Sequence, residues 1–279
     1  MKRALVLGGG GITGIAWEIG LLKGLRDLGV DLTDADTVVG TSAGSVVGAQ
    51  VAGGIPLEAM YDAQLADPSG EITAAMGRGM LLTWAAVMLL PGSGRTKRRR
   101  LGRASVRASR RPGAVTPEER VDVIRTRLPL SQWPERDLRI TAVDADSGGF
   151  VVFDRTGPVD LVHAVASSCA VPLVWPPVPV DGHRYVDGGV RSAANADIVT
   201  DADRVVVLAP LSQSFSRHHR LENQLRRTGA VATASVSPDE GALVAIGSNV
   251  LDPTNRPAAA EAGLAQAQHV VDEVRAAWL

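Results

Sequence analysis

The sequence predicts an α/β protein built on a mostly parallel central sheet. Three observations predict it. The first fifty residues run strand, glycine loop, helix, strand, sharp turn, helix, which is how a doubly wound parallel sheet opens. The second strand ends in Gly40-Thr41-Ser42-Ala43-Gly44, a G-x-S-x-G pattern in the strand–turn–helix context that projects a serine from a strand tip. A further strand-like apolar run, Val205 to Leu208, recurs late in the chain.

Composition narrows the class. The chain has 279 residues, a formal net charge of −1 and a single cysteine, Cys169. That length supports a substantial core. The balanced charge offers no global field for nucleic acid, so no nucleic-acid partner is expected. One cysteine excludes an intrachain disulfide and a cysteine metal cluster. Lys2-Arg3 before Ala4 to Leu7 faintly resembles a signal peptide, but four glycines interrupt the apolar run at once. A buried strand explains it better. No apolar stretch reaches the ~20 residues of a membrane span. The expectation is a cytoplasmic protein with no signal peptide or transmembrane span.

Taken in order, Arg3 to Leu7 reads as a short buried strand. Ile15 to Leu28 carries Ile15, Ile19, Leu22, Leu25 and Leu28 at helical spacing, and Gly29 stops the helix. Between them Gly9-x-Gly11-x-x-Gly14 fits a dinucleotide fingerprint, with Asp34 twenty residues beyond Gly14. That fingerprint wants its acidic residue at the end of the second strand. Asp31, Asp34 and Asp36 lie before that strand, and its end holds Gly40-Thr41-Ser42. No cofactor is expected. The loop fits an oxyanion hole instead, because successive backbone N–H groups form an anion-binding concavity.

Pro56 to Ala66 and Ile72 to Leu90 read as helices, and Pro91-Gly92-Ser93-Gly94 breaks the second. Arg95 to Arg111 then holds nine basic residues and no acidic one. Two readings compete for Met80 to Arg111. One is a buried or lid helix followed by a solvated loop. The other is an apolar wedge and a cationic patch in peripheral contact with anionic membrane. Thr116-Pro117 caps a helix to Leu128. Leu138 to Val143 and Phe150 to Phe153 form a hairpin around Asp146-Ser147-Gly148-Gly149. Asp160 to Cys169 is a short apolar helix, and Val171 to Pro179 is proline-rich. Asp181 to Arg184 turns into Tyr185-Val186-Asp187-Gly188-Gly189. The stretch from Arg256 to Trp278 is helical in pattern. No repeat or linker divides the chain, so residues 1–279 read as one domain. Within it, 80–115 is an apolar helix plus a basic loop.

A serine hydroxyl needs a base to take its proton. His218 and His219 sit in a polar stretch, His163 on an apolar helix and His269 on the last helix. His183, just before a strand, stays a candidate. Asp187 is preferred, because a carboxylate in a tight Asp-Gly-Gly turn can sit against the hydroxyl, and burial lifts its pKa toward neutrality.

Together these residues resemble the patatin-like phospholipases. Gly9-Gly10-Gly11-Ile12-Thr13-Gly14 is similar to the family's oxyanion motif, with Gly14 closing it. Gly40-Thr41-Ser42-Ala43-Gly44 resembles its nucleophile elbow. Asp187-Gly188-Gly189 resembles its catalytic aspartate turn. Ala166 to Pro172 and Trp175 to Val178 look like the segment that precedes that turn. The resemblance implies a three-layer α/β/α patatin-like sandwich and hydrolysis of fatty acyl esters, phospholipid or lysophospholipid, without metal or organic cofactor. It implies Ser42 as nucleophile and Asp187 as proton acceptor. It implies amides of Gly9, Gly10, Gly11 and Ala43 as oxyanion donors. Thr13 departs from the pattern, which commonly has Arg or Lys there, and the arginines of 95–111 are candidates to supply the charge. An acyltransferase or thioesterase using the same acyl-serine, and a low-turnover lipid-binding scaffold, are the alternatives.

Overall fold

A computed structural model describes residues 1–67, 78–211 and 219–279. In chain order the elements are β1 (Arg3–Leu7), α1 (Gly11–Asp27), β2 (Thr37–Gly40), α2 (Ala43–Ala52) and α3 (Leu57–Leu65). Then come α4 (Arg78–Leu89), α5 (Gly94–Ala108), α6 (Pro117–Arg127), β3 (Asp137–Asp144), β4 (Phe150–Phe153) and α7 (Leu161–Ser168). The chain continues through β5 (Val178–Val180), β6 (His183–Asp187), β7 (Arg204–Leu208), α8 (Leu221–Thr228), β8 (Ala232–Val236), α9 (Glu240–Ile246) and α10 (Arg256–Trp278).

The sheet has the order β5-β6-β3-β2-β1-β7-β8, with β4 also paired to β3. From β3 through β8 the neighbours on this path are parallel. β4 and β6 run antiparallel to β3, and β5 antiparallel to β6. Side chains alternate between the two faces of a strand, and both faces are covered. Leu5 and Leu7 join the cluster of Trp17, Leu21, Val47, Ala260 and Trp278. Ala4 and Val6 join Val39, Val199, Val205 and Val207, against which Leu221 and Leu225 of α8 pack. Helix, sheet and helix thus make three layers around a mostly parallel sheet, as expected.

The α1 and α10 helices bind the two ends of the chain together. A methyl group on Gly263 would stand 2.3 Å from the Trp17 carbonyl oxygen, so the backbones touch where a larger residue would hold them apart. Trp17 Nε1 donates to Gln266 Oε1 at 2.9 Å.

The basic segment is not a loop. Residues 94–108 form helix α5, capped by Ser93, which accepts from the Thr96 N–H. Its arginines are strong helix formers, and Leu101, Gly102, Ser105 and Val106 are buried along one side. Leu101 and Val106 join Val87 of α4 and Val143 and Val186 of the sheet, so α4 and α5 dock on the sheet near its antiparallel edge. Of the helix expected over 72–90, residues 78–89 are helical, and 72–77 lie outside the described residues. Strand β5 was hidden by Pro179, which is tolerated because β5 is an edge strand. No described helix is long and apolar enough to cross a membrane.

Candidate active site

Strand register brings the expected nucleophile and base to one level. Gly40 at the end of β2 pairs with Ile140 of β3, and Asp187 at the end of β6 pairs with Ala142. Ser42, two residues beyond Gly40, therefore comes level with Asp187 across β3. Ser42 has φ 52 and ψ −117, a backbone state costing about 1–3 kcal/mol for a residue with a Cβ. Close packing keeps it there. A methyl group on Gly44 would lie 2.1 Å from the Leu7 carbonyl oxygen, so only glycine lets α2 start this near β1. The Ser42 N–H donates to Ser168 Oγ at 2.9 Å. The Ser42 carbonyl accepts from Ser45 Oγ at 2.6 Å and from Cys169 Sγ at 3.3 Å. The N–H and the carbonyl of Ser42 are thus both held.

The Asp187 side chain is 4% exposed. Burial pushes its carboxyl up to about 6, against the opposing pull of the Ser42 hydroxyl, the Gly189 N–H and the Arg120 guanidinium. Gly189 N–H donates to Asp187 Oδ1 at 2.7 Å. The Ser42 hydroxyl thus acts on a carboxylate poised near neutrality, the condition for a general base. Cys169 is no rival nucleophile, because burial pushes its thiol up to about 11.

The glycine loop faces Ser42: a methyl group on Gly9 would lie 3.4 Å from Ser42 Cβ. The Gly9 N–H itself donates to the Ala193 carbonyl at 2.8 Å, which corrects its place among the oxyanion donors. Its role in this conformation is to fix the loop. The amides of Gly10, Gly11 and Ala43 carry no hydrogen bond among the described residues. Gly11 and Ala43 begin α1 and α2, so two helix N-termini converge beside the hydroxyl. Gly14 N–H donates to the Gly10 carbonyl. Thr13 is buried, and its Oγ1 donates to the Val250 carbonyl at 3.4 Å. Asp31, Asp34 and Asp36 serve the scaffold. Asp31 accepts from Thr33, Asp34 pairs with Arg3, and Asp36 accepts from the Arg3 N–H.

His183 does not join the site. It begins the strand that Asp187 ends, roughly 13 Å away at ~3.3 Å per residue. Its Nδ1 lies 3.0 Å from Asp144 Oδ2. His163 pairs with Asp160, and His269 lies near Asp239. The His219 carbonyl accepts from Gln224, and His218 lies outside the described residues.

Three residues gather at the site without a sequence signal strong enough to single them out. Ser168, which orients the elbow, lies inside the Ala166 to Pro172 segment, so that motif carried the clue. Asn195 is buried in a left-handed conformation. Its Nδ2 lies within reach of Thr41 Oγ1, Thr141 Oγ1 and the carbonyls of Gly188 and Ser192. Arg120, from the first turn of α6, is buried, and its guanidinium stacks 4.2 Å from the Trp175 ring centroid.

The glycine loop, the elbow, the Asp-Gly-Gly turn and the segment before it all fall within residues 5–200, the stretch matched by the family model for patatin-like phospholipases. The chain belongs to the patatin-like phospholipase family. That membership supports lipid hydrolase activity. Among solved structures, this patatin-like chain is similar to VipD from Legionella pneumophila, with 14% identity and a TM-score of 0.51. The match covers 97% of this chain and 67% of VipD. It is also similar to ExoU in complex with SpcU from Pseudomonas aeruginosa, with 17% identity, a TM-score of 0.41, and coverage of 98% and 53%. The patatin-like chain therefore spans about half the length of ExoU. No curated protein sequence matches it.

Proposed function

We propose that this patatin-like protein is a serine lipid acyl hydrolase that cleaves fatty acyl esters of phospholipid or lysophospholipid through a Ser42–Asp187 dyad. Ser42 attacks the acyl carbonyl while Asp187 accepts its proton. The amides of Gly10, Gly11 and Ala43 receive the oxyanion, each such donor contributing about 3 kcal/mol to barrier lowering. Asp187 returns the proton to the leaving alkoxide. It then draws a proton from water, which attacks the acyl-serine and releases the fatty acid. The observation that carries this reading is the buried Asp187 carboxyl, raised to about 6 and brought level with Ser42 by the strand register.

Peripheral contact with anionic membrane is supported by helix α5. Arg95, Arg99, Arg103 and Arg107 are all exposed at four-residue spacing, one stripe on one helical face. Leu82, Leu89 and Leu90 of the preceding segment are exposed too, Leu89 at 86%. Each basic residue near an anionic surface contributes about 1 kcal/mol.

The test is hydrolysis of p-nitrophenyl esters of increasing chain length by wild type, Ser42→Ala and Asp187→Asn. Fluorophosphonate labelling accompanies it. Wild type should hydrolyse and label, with both variants losing turnover. An inert, unlabelled wild type would sink the proposal. Faster product formation with an added alcohol or thiol acceptor would turn it into an acyltransferase.

A further inference from the structure

The glycine loop carries no basic side chain anywhere from Gly8 to Gly14. The stripe of α5 faces solvent. Among the described residues, the buried cation with an electrostatic hold on Asp187 comes from neither. Arg120 is only 6% exposed, yet it makes no ion pair and no side-chain hydrogen bond among the described residues, and its Nε is buried without an acceptor. Its first contact is the face of Trp175, 4.2 Å from the guanidinium carbon. A buried guanidinium normally answers its fork of donors with a carboxylate or phosphate. Leaving it unanswered costs stability. Two groups beside Ser42 feel it: it pulls on the Cys169 thiol and on the Asp187 carboxyl. Burial accordingly pushes its own pKa down to about 10.

We infer that Arg120 is an anion-anchoring residue of the substrate site, stacked on Trp175 so that its free donors receive the phosphate of a glycerophospholipid whose ester lies at Ser42. The inference rests on the hydrolase reading and deepens it. An ester of glycerol places its phosphate only a few bonds from the scissile carbonyl, so one lipid molecule presents both groups together. The alternative source of the same chemistry is the carboxylate of the released fatty acid. The phosphate is anionic before, during and after acyl transfer. Arg120 therefore contributes uniform binding, which appears in KM more than in kcat.

The experiment compares wild type, Arg120→Met and Arg120→Lys on two monomeric substrates at pH 8.5, where Asp187 is ionised. Dihexanoylphosphatidylcholine carries the phosphate, and dihexanoylglycerol carries the same esters without it. Hexyl phosphate and octanoate serve as competing anions. For Arg120→Met the ratio of kcat/KM on the phosphodiester to that on the diglyceride should fall by at least about tenfold, the size of one lost charge-assisted hydrogen bond. The fall should lie mainly in KM, and the hexyl phosphate inhibition constant should rise by the same factor. Arg120→Lys, which keeps the charge but loses the fork, should recover part of the ratio. It carries the test alone if the methionine variant does not fold.

Equal losses on both substrates with unchanged hexyl phosphate inhibition would overturn the inference and leave Arg120 a structural residue. Loss of octanoate inhibition alone, with the substrate ratio unchanged, would assign the site to the product acid and overturn the phosphate assignment. A wild type that cleaves neither ester would defeat the hydrolase reading. Arg120 would still be tested there by thermal unfolding: stabilisation of wild type by hexyl phosphate that is absent in Arg120→Met supports the anion site, and identical shifts overturn it.

Discussion

The Asn195 side chain donates from Nδ2 to Thr41 Oγ1 at 3.1 Å, and the same amide reaches the Gly188 carbonyl at 3.3 Å. Thr41 precedes Ser42 and Gly188 follows Asp187, so one buried amide ties the two turns that carry the dyad. Asn195→Asp places a carboxylate against those acceptors. It should destabilise the protein by about 3 kcal/mol and lower kcat well beyond the loss of folded protein. Asn195→Ala should cost less stability and still lower kcat. Denaturant unfolding and turnover on the same preparations check this, and unchanged kcat in the folded fraction would remove the positioning role.

Asp187 sets the acid limb of the pH profile. A general base must be ionised, so kcat/KM should rise with pH through a midpoint near 6, the value to which burial lifts the carboxyl. The sign for stability is opposite. The folded state holds a proton that the unfolded chain releases near 3.8, so stability falls as pH rises from about 4 through 6. Asp187→Asn should therefore unfold at higher temperature than wild type at pH 8, with a gain of up to about 3 kcal/mol, and show little gain at pH 4. Thermal melts at the two pH values read it directly.

Ser42 carries backbone strain as well as the nucleophile. Ser42→Gly and Ser42→Ala should both abolish ester hydrolysis. Only glycine relieves the φ of 52, so Ser42→Gly should be more stable than Ser42→Ala by about 1 kcal/mol. Equal melting temperatures would show that the elbow is unstrained.

Glu18 of α1 is wholly buried, and among the described residues neither carboxylate oxygen has a partner at hydrogen-bond geometry; the Gly8 backbone only partly opposes the burial. Burial holds its carboxyl well above the usual carboxylate range. Ionising it therefore costs stability as pH rises beyond its unfolded pKa. Glu18→Gln should match wild type at pH 4.5 and melt higher at pH 8.5. A lower melting temperature for the variant at both pH values would mean that the acid makes a contact only a carboxyl can make.

The stripe of exposed arginines on α5 makes a separate prediction. Replacing Arg95, Arg99, Arg103 and Arg107 with Gln should weaken binding to vesicles rich in phosphatidylglycerol by several orders of magnitude at low salt, at about 1 kcal/mol each. Hydrolysis of a soluble ester should change little. Vesicle sedimentation at two salt concentrations measures it, and salt-independent binding would remove the electrostatic reading.

Much of this was legible in the chain because local chemistry is written locally. Val38 to Gly44 states a strand, a sharp turn and a helix in consecutive residues, and Gly8 to Leu28 states a glycine loop and its helix. The Thr116 cap reads directly, and the capping box with Glu119 is present. What the sequence hid depends on partners brought from afar. Arg120 reads as one more charge in Glu118-Glu119-Arg120, and only the packing of α6 near Trp175 buries it. Asn195 sits in a stretch with no motif, and its four acceptors come from three parts of the chain. The basic run of α5 suggested a solvated loop because charge density masked Leu101 and Val106, the anchors that hold the helix to the sheet.

The sheet order has a kinetic consequence. Ser42 follows β2, Asp187 ends β6, and β3 lies between them. The site therefore comes into being only when three strands distant in sequence have found their pairings, and such non-local closure is slow. A fluorophosphonate added at intervals during refolding would then act as a clock for the last strand to dock. Reactivity should lag the recovery of helical circular dichroism, and no fragment ending before residue 187 should ever acquire it.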